Sequence, residues 1–201
     1  MKKIILGSCL LIAIALLVSA RWGTKAVNAP PPEDLPIADT SLAVALSLQD
    51  MVTQSDVIAI GNCVETKSVW VDRSLVTLAT ISVSESLKGD GASTITVELP
   101  GGVDANRKFP VAMTYPGAPS VTPGEDVFLF LTASGQVAGS YNVAGFSQGK
   151  FSIVTDEDGV QMVSRNLSKT SLKSDNGVRR GGSDAIPLAN MKEQVKGYLN
   201  Q

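Results

Sequence analysis

Ser55-Asp56-Val57-Ile58-Ala59-Ile60-Gly61-Asn62-Cys63-Val64 opens the stretch that decides the fold. A polar reversal follows, then a second run over 75–87, then Lys88-Gly89-Asp90-Gly91, a third run over 94–99, and Pro100-Gly101-Gly102. Three β-type runs separated by turn chemistry are the skeleton of a small antiparallel barrel or sandwich. The first run is apolar on both faces, with Ile58, Ile60 and Val64 on one side and Val57, Ala59 and Cys63 on the other. A strand of that kind is buried on both sides, so the element before it is expected to cover one of them. Gly61 inside the run marks a bend or bulge. The second run alternates Ala79, Ile81, Val83 and Leu87 with Thr80, Ser82, Ser84 and Ser86, which predicts one buried face and one wet face. Gly89 and Gly91 supply the positive-φ positions of a turn. In the third run Ile95, Val97 and Leu99 alternate with Thr94, Thr96 and Glu98, a half-buried strand paired to the second.

Working outward, Leu42, Ala45, Leu46, Leu48, Met51 and Val52 recur at helical spacing, which predicts a helix over 41–54 with Thr40 or Ser41 as N-cap. Residues 101–126 contain Pro110, Pro116, Pro119 and Pro123. They read as a long loop, of the kind that is functional or disordered, with room for a short strand at 109–113. Further strands are expected at 127–131, 141–143, 149–154 and 160–164. The last two are joined by a hairpin turn at Asp156-Glu157-Asp158-Gly159, which needs no calcium to explain it. Residues 166–183 are rich in Ser, Lys, Arg and Gly and read as a flexible linker. The segment 184–201 reads as an amphipathic helix. Ser183 or Asp184 is its N-cap, Pro187 sits in its first turn, and Leu188, Met191, Val195 and Leu199 form its stripe.

The N-terminus reads as a bacterial export signal over 1–20. Lys2 and Lys3 form the charged region, an apolar core follows, and Val18-Ser19-Ala20 fits a cleavage site. The competing reading is a retained anchor. The apolar run over 4–20, about 17 residues, is at the low edge for spanning a bilayer, which favours cleavage. A proline-rich tether over 21–40, with Pro30-Pro31-Pro32 and Pro36, then leads to a barrel domain over 41–165. The protein is therefore expected to be periplasmic or extracellular, touching membrane only through an uncleaved signal. Cys9 leaves with the signal, so Cys63 stands without an intramolecular partner. It is either a reactive thiol or a small core residue, and no basic neighbour in sequence activates it.

The 201 residues carry a net charge of -2, are 44% apolar and 5% aromatic, and include no histidine. That balance excludes a nucleic-acid footprint, and the missing imidazole excludes His-based triads and His-ligated zinc. No nucleophile elbow or phosphate-binding fingerprint is present. Ser171-Leu172-Lys173-Ser174 lies in the expected linker, a poor scaffold for a nucleophile. The reading is non-enzymatic, with no catalytic residue, cofactor or metal.

Ser55-Asp56-Val57-Ile58-Ala59-Ile60-Gly61, then Leu87-Lys88-Gly89, then Gly124-Glu125-Asp126-Val127-Phe128-Leu129-Phe130-Leu131 form an ordered series. The series resembles exported bacterial β-barrel proteins of uncharacterised function. It is also similar to the netrin-like, OB-type barrel of the tissue inhibitors of metalloproteinases. The resemblance covers about 41–164 and implies an OB or netrin-like antiparallel barrel with a helix before it and a helix after it. It also implies a secreted protease as the class of partner. Those inhibitors depend on several disulfides and on an N-terminal cysteine that reaches the protease metal. This chain lacks both, so that mechanism is not carried over.

The expected function is an exported protein-interaction module, with Arg107, Lys108, Phe109 and Tyr115 of the 101–126 loop as its binding candidates. Phe109 has a second reading, as a pin holding the loop to the barrel. The alternative functions are an envelope hydrolase or processing factor with a serine or carboxylate site, and a structural envelope component that binds glycan through the loop.

Overall fold

The computed structural model describes residues 40–133 and 136–201. The expected signal, Cys9 and the tether up to residue 39 lie outside the described residues.

The chain is mainly β. Its framework is the long hairpin β2 (Val57–Val71) and β3 (Ser74–Lys88), followed by β4 (Thr94–Pro100). Both hairpin strands run past the expected ends, because Val69, Trp70 and Val71 pair with Val76, Leu75 and Ser74. The reversal expected after Val64 is therefore at Asp72, which takes a positive φ. The connection that follows holds a small antiparallel pair, β5 (Gly102–Asp104) and β6 (Val111–Met113). The apolar run over 127–131 is the centre of β7 (Asp126–Ala133), and β8 (Ser140–Val143) follows.

β7 pairs antiparallel with β2, and β8 pairs parallel with β4 and antiparallel with β7. The strand ring β2-β3-β4-β8-β7 thereby closes on itself. Strands β9 (Lys150–Thr155), β10 (Gln161–Asn166) and β13 (Ser183–Pro187) extend the sheet from the far side of β7.

Residue parity on β2 and β7 divides the apolar side chains between two cores. Val57, Ala59, Cys63, Val127, Leu129 and Leu131 join Ala79, Ile81, Val97 and Leu99 inside the ring. Ile58, Ile60, Phe128 and Phe130 face the other way and pack with Met51, Phe151, Val163, Met191 and Val195. The second core is roofed by α1 (Leu48–Gln54) and α2 (Leu188–Leu199). A strand apolar on both faces thus does have an element on each side of it. Gly61 sits at a register shift, and a Cβ there would lie 2.4 Å from the Ser82 carbonyl oxygen.

Several expectations are corrected. Residues Ser41–Val44 are strand β1, not helix, and the N-cap of α1 is Ser47, which exchanges capping-box hydrogen bonds with Asp50. The 166–183 segment is not a linker. It forms β11 (Thr170–Ser174) and β12 (Gly177–Arg180), which with β1 make a separate three-stranded sheet. The terminal helix starts at Leu188, with Pro187 at its N-cap position and 183–187 in strand. Val64 is exposed, because pairing with β7 ends at Asn62 and the register shifts after Cys63. Leu87 packs against the second core instead of the ring interior, because the register shift between Val83 and Glu85 changes the face of the residues after it.

Candidate functional site

The motif residues that carry the sequence resemblance are structural. Ser55 Oγ donates to the Met51 carbonyl at the end of α1, at 2.6 Å. Asp56 Oδ2 accepts from the Ala133 amide at 2.8 Å. Lys88 Nζ donates to the Val52 carbonyl at 2.9 Å, placing a cation at the helix C-terminus. Asn62 Nδ2 reaches both the Gly124 carbonyl and Asp126 Oδ1. Ser55, Asp56 and Lys88 fasten α1, β2, β3 and β7 at one end of the β2–β7 pair, and Asn62 fastens its other end.

Ser152, Lys150 and Glu125 have the composition of a nucleophile site but not its wiring. Lys150 Nζ donates to Ser152 Oγ at 2.8 Å and also pairs with Glu125. Ser152 Oγ donates to Glu125 Oε1 at 2.7 Å. The serine therefore gives its proton to an ion-paired carboxylate and accepts a hydrogen bond from lysine, so neither neighbour is a free base. The trio is an ionic tie between β7 and β9. Cys63 is wholly buried inside the ring, and burial pushes its thiol up from the ordinary range, opposite to a reactive cysteine. Among the described residues, no group of three or more Cys, Asp or Glu side chains is placed to hold a metal ion.

The 101–126 connection is built onto the far end of the β2–β3 hairpin. Gly102 lies so close that a Cβ would meet Ser68 Oγ at 2.6 Å. Ser68 Oγ accepts from the Val103 amide, and Thr77 Oγ1 donates to the Gly101 carbonyl at 2.8 Å. Trp70 Nε1 donates to Asp104 Oδ2 at 2.7 Å, and Arg107 Nε donates to the same oxygen at 2.9 Å. The Arg107 guanidinium also stacks 4.6 Å from the centre of the Trp70 ring. The Trp70 hydrogen bond, with help from Arg107 and the Asn106 amide, holds the Asp104 carboxyl below its ordinary range.

The four residues singled out from sequence divide between two places. Arg107 belongs to the clamp. Lys108 Nζ lies 5.7 Å from the Phe109 ring centre, and Phe109 is 76% exposed, so Phe109 does not pin the loop. That task falls to Trp70, Asp104 and Arg107. Tyr115 instead lines a cleft of about 320 Å³ at the end of the ring, with Leu75 of β3, Pro100 of β4, Asn142 of β8 and Phe146. Glu98 also lines it and is only 4% exposed, although strand alternation assigns it to the solvent side. Ser140 Oγ donates to Glu98 Oε2 at 3.2 Å.

Sequence reasoning misses Trp70 because the polar residues after Val64 read as the end of the first strand. It misses Phe146 because a positive φ at a phenylalanine carries no sequence signal. Comparison with protein-family models, curated proteins and solved structures finds no significant match.

Proposed function

We propose that the protein is an exported, non-enzymatic interaction module built on an OB-type ring, and that it binds another exported protein through the β5–β6 hairpin. Connectivity supports the OB reading. Counted along the chain, the first ring strand (β2) pairs with the second and the fourth, and the third (β4) runs parallel to the fifth (β8). The netrin-like subtype rests on the Ser55-Asp56 and Lys88-Gly89 motifs. It implies a secreted protease as partner, by a contact that does not use a cysteine.

One observation carries the binding assignment. The Trp70–Asp104–Arg107 clamp fixes the hairpin, yet Phe109 stays 76% and Val103 57% exposed beside it. Large apolar groups held outward on a fixed support lose little entropy when covered, and this is the condition for an anchor residue. Export rests on the charged, apolar and small-residue order of 1–20.

Affinity capture from native envelope or medium, read by mass spectrometry, tests the proposal. Phe109→Ala is expected to abolish capture while changing stability by no more than the ~0.5 kcal/mol of a surface substitution. Capture that persists undiminished in this variant would place the partner surface elsewhere.

A further inference from the structure

We infer that the cleft at the β3–β4–β8 end of the ring is a carbohydrate site, which takes a neutral sugar unit against Tyr115 and Phe146 with its hydroxyls on Asn142 and Ser74. The inference rests on different residues from the hairpin proposal and stands apart from it.

The lining is mixed in a particular way. Tyr115 and Phe146 contribute aromatic rings, and Tyr115 is 45% exposed. Glu98, Asn142 and Ser74 contribute a carboxylate, an amide and a hydroxyl, and none of the described lining residues is Lys or Arg. An anionic ligand would find no cationic side chain among the described lining residues. A purely apolar ligand would strip water from the polar lining side chains and return no hydrogen bond. A cation would find ring faces, but Glu98 is buried and already receives the Ser140 hydroxyl. A sugar meets both demands, because its C–H face covers a ring while its hydroxyls both donate and accept. The volume of about 320 Å³ lies at the lower end of the ~300–1,000 Å³ of small-molecule sites. That suits the end of a glycan, or one or two of its units, and not a long run.

The conformation of Phe146 is an independent pointer to a ligand. Its φ is +70° and that of Gly145 is +62°, a left-handed pair that bulky side chains adopt rarely. The turn is held by the Gly149 amide on the Ala144 carbonyl and the Ser147 amide on the Gly145 carbonyl, both at 2.9 Å. Backbone strain of this kind persists where the surroundings over-determine it and concentrates at ligand clamps. Here it keeps an aromatic ring at the cleft that glycine, the easier residue for the turn, would not supply.

The test uses the purified protein and a panel of neutral hexasaccharides (α-1,4-glucan, β-1,4-glucan, chitin-type and xylan-type). Binding is read by saturation-transfer NMR and calorimetry. One class is expected to bind, and Tyr115→Ala and Asn142→Ala should each weaken it by about tenfold with the melting temperature unchanged. Phe146→Gly relieves the positive φ, so it should keep or raise the melting temperature while binding falls. Phe109→Ala should leave sugar affinity as it is, which separates this site from the hairpin. The inference is overturned if no sugar binds at millimolar concentration, or if tetramethylammonium or a proline-rich peptide occupies the cleft instead. It is equally overturned if Phe146→Gly destabilises the protein and leaves sugar affinity intact.

Discussion

Burial pushes the Glu125 carboxyl up, but hydrogen bonds from Lys150, Ser152 and the Thr122 amide, with the Lys150 charge, outweigh it. The group therefore titrates below its ordinary 4.5. A carboxylate depressed in the folded state contributes stability that is complete above its unfolded value and is lost as pH falls through the folded one. The window thus opens near 4.5 and extends downward. Thermal melts across pH should show wild type and Glu125→Gln well separated at neutral pH and converging in acid, and a constant separation would contradict the tie between β7 and β9. Asp104 supplies a second test. Its largest depressing influence is the Trp70 hydrogen bond, so Trp70→Phe, which keeps a ring but removes the donor, should move the Asp104 titration upward in a carboxyl NMR experiment. These roles are not legible in the sequence. Glu125 and Lys150 are 25 residues apart, and Trp70 lies 34 residues before Asp104. Nothing local marks such pairs.

Gly61 is legible as a bend, and the structure makes the reason concrete. An added Cβ would also lie 2.7 Å from the Ile81 side chain, in a tightly packed part of the ring. Gly61→Ala is expected to destabilise by about 1–3 kcal/mol, the range of overpacked cores, as measured by urea denaturation. The face assignments of β2 and β7 are equally readable, since parity survives wherever both faces are buried. The misreadings have a shared cause. Leu42, Ala45 and Leu46 fit a helical spacing, but β11 captures 41–44 as a parallel neighbour, and tertiary pairing overrides a short local pattern. β11 and β12 look like linker because much of their sheet is solvated, with Lys173 and all four residues of β12 exposed. Gln148, buried and bonded to the Leu46 amide and the Val44 carbonyl, ties that sheet's first strand to the rest, and no periodicity announces it.

At the level of the whole molecule, the terminal helix is part of the core. Met191 and Val195 of its apolar stripe are enclosed with Phe130, Phe151 and Val163. Deleting 188–201 should therefore collapse the thermal transition and not leave the ring intact. Neighbouring substitutions on β7 probe the two cores separately. Leu129→Ala inside the ring should cost about 2–5 kcal/mol, and Phe130→Ala beneath the helices about 3–5 kcal/mol. Because both cores share β2 and β7, each variant should still melt in one transition, and two resolved transitions would show that the cores unfold independently. The ring has one further consequence, in time. It is fastened by four-residue β8, whose partners on β4 lie 44 residues earlier in the chain, as in Thr96 opposite Ser140. A contact of such separation closes late in folding, and in the native state a short clasp is where the ring opens first. Amide hydrogens of β8 should exchange with solvent ahead of those of β2. The Ser140–Glu98 bond crosses this same seam beside the cleft, so an occupant of the cleft would slow that exchange and act as a latch on the ring.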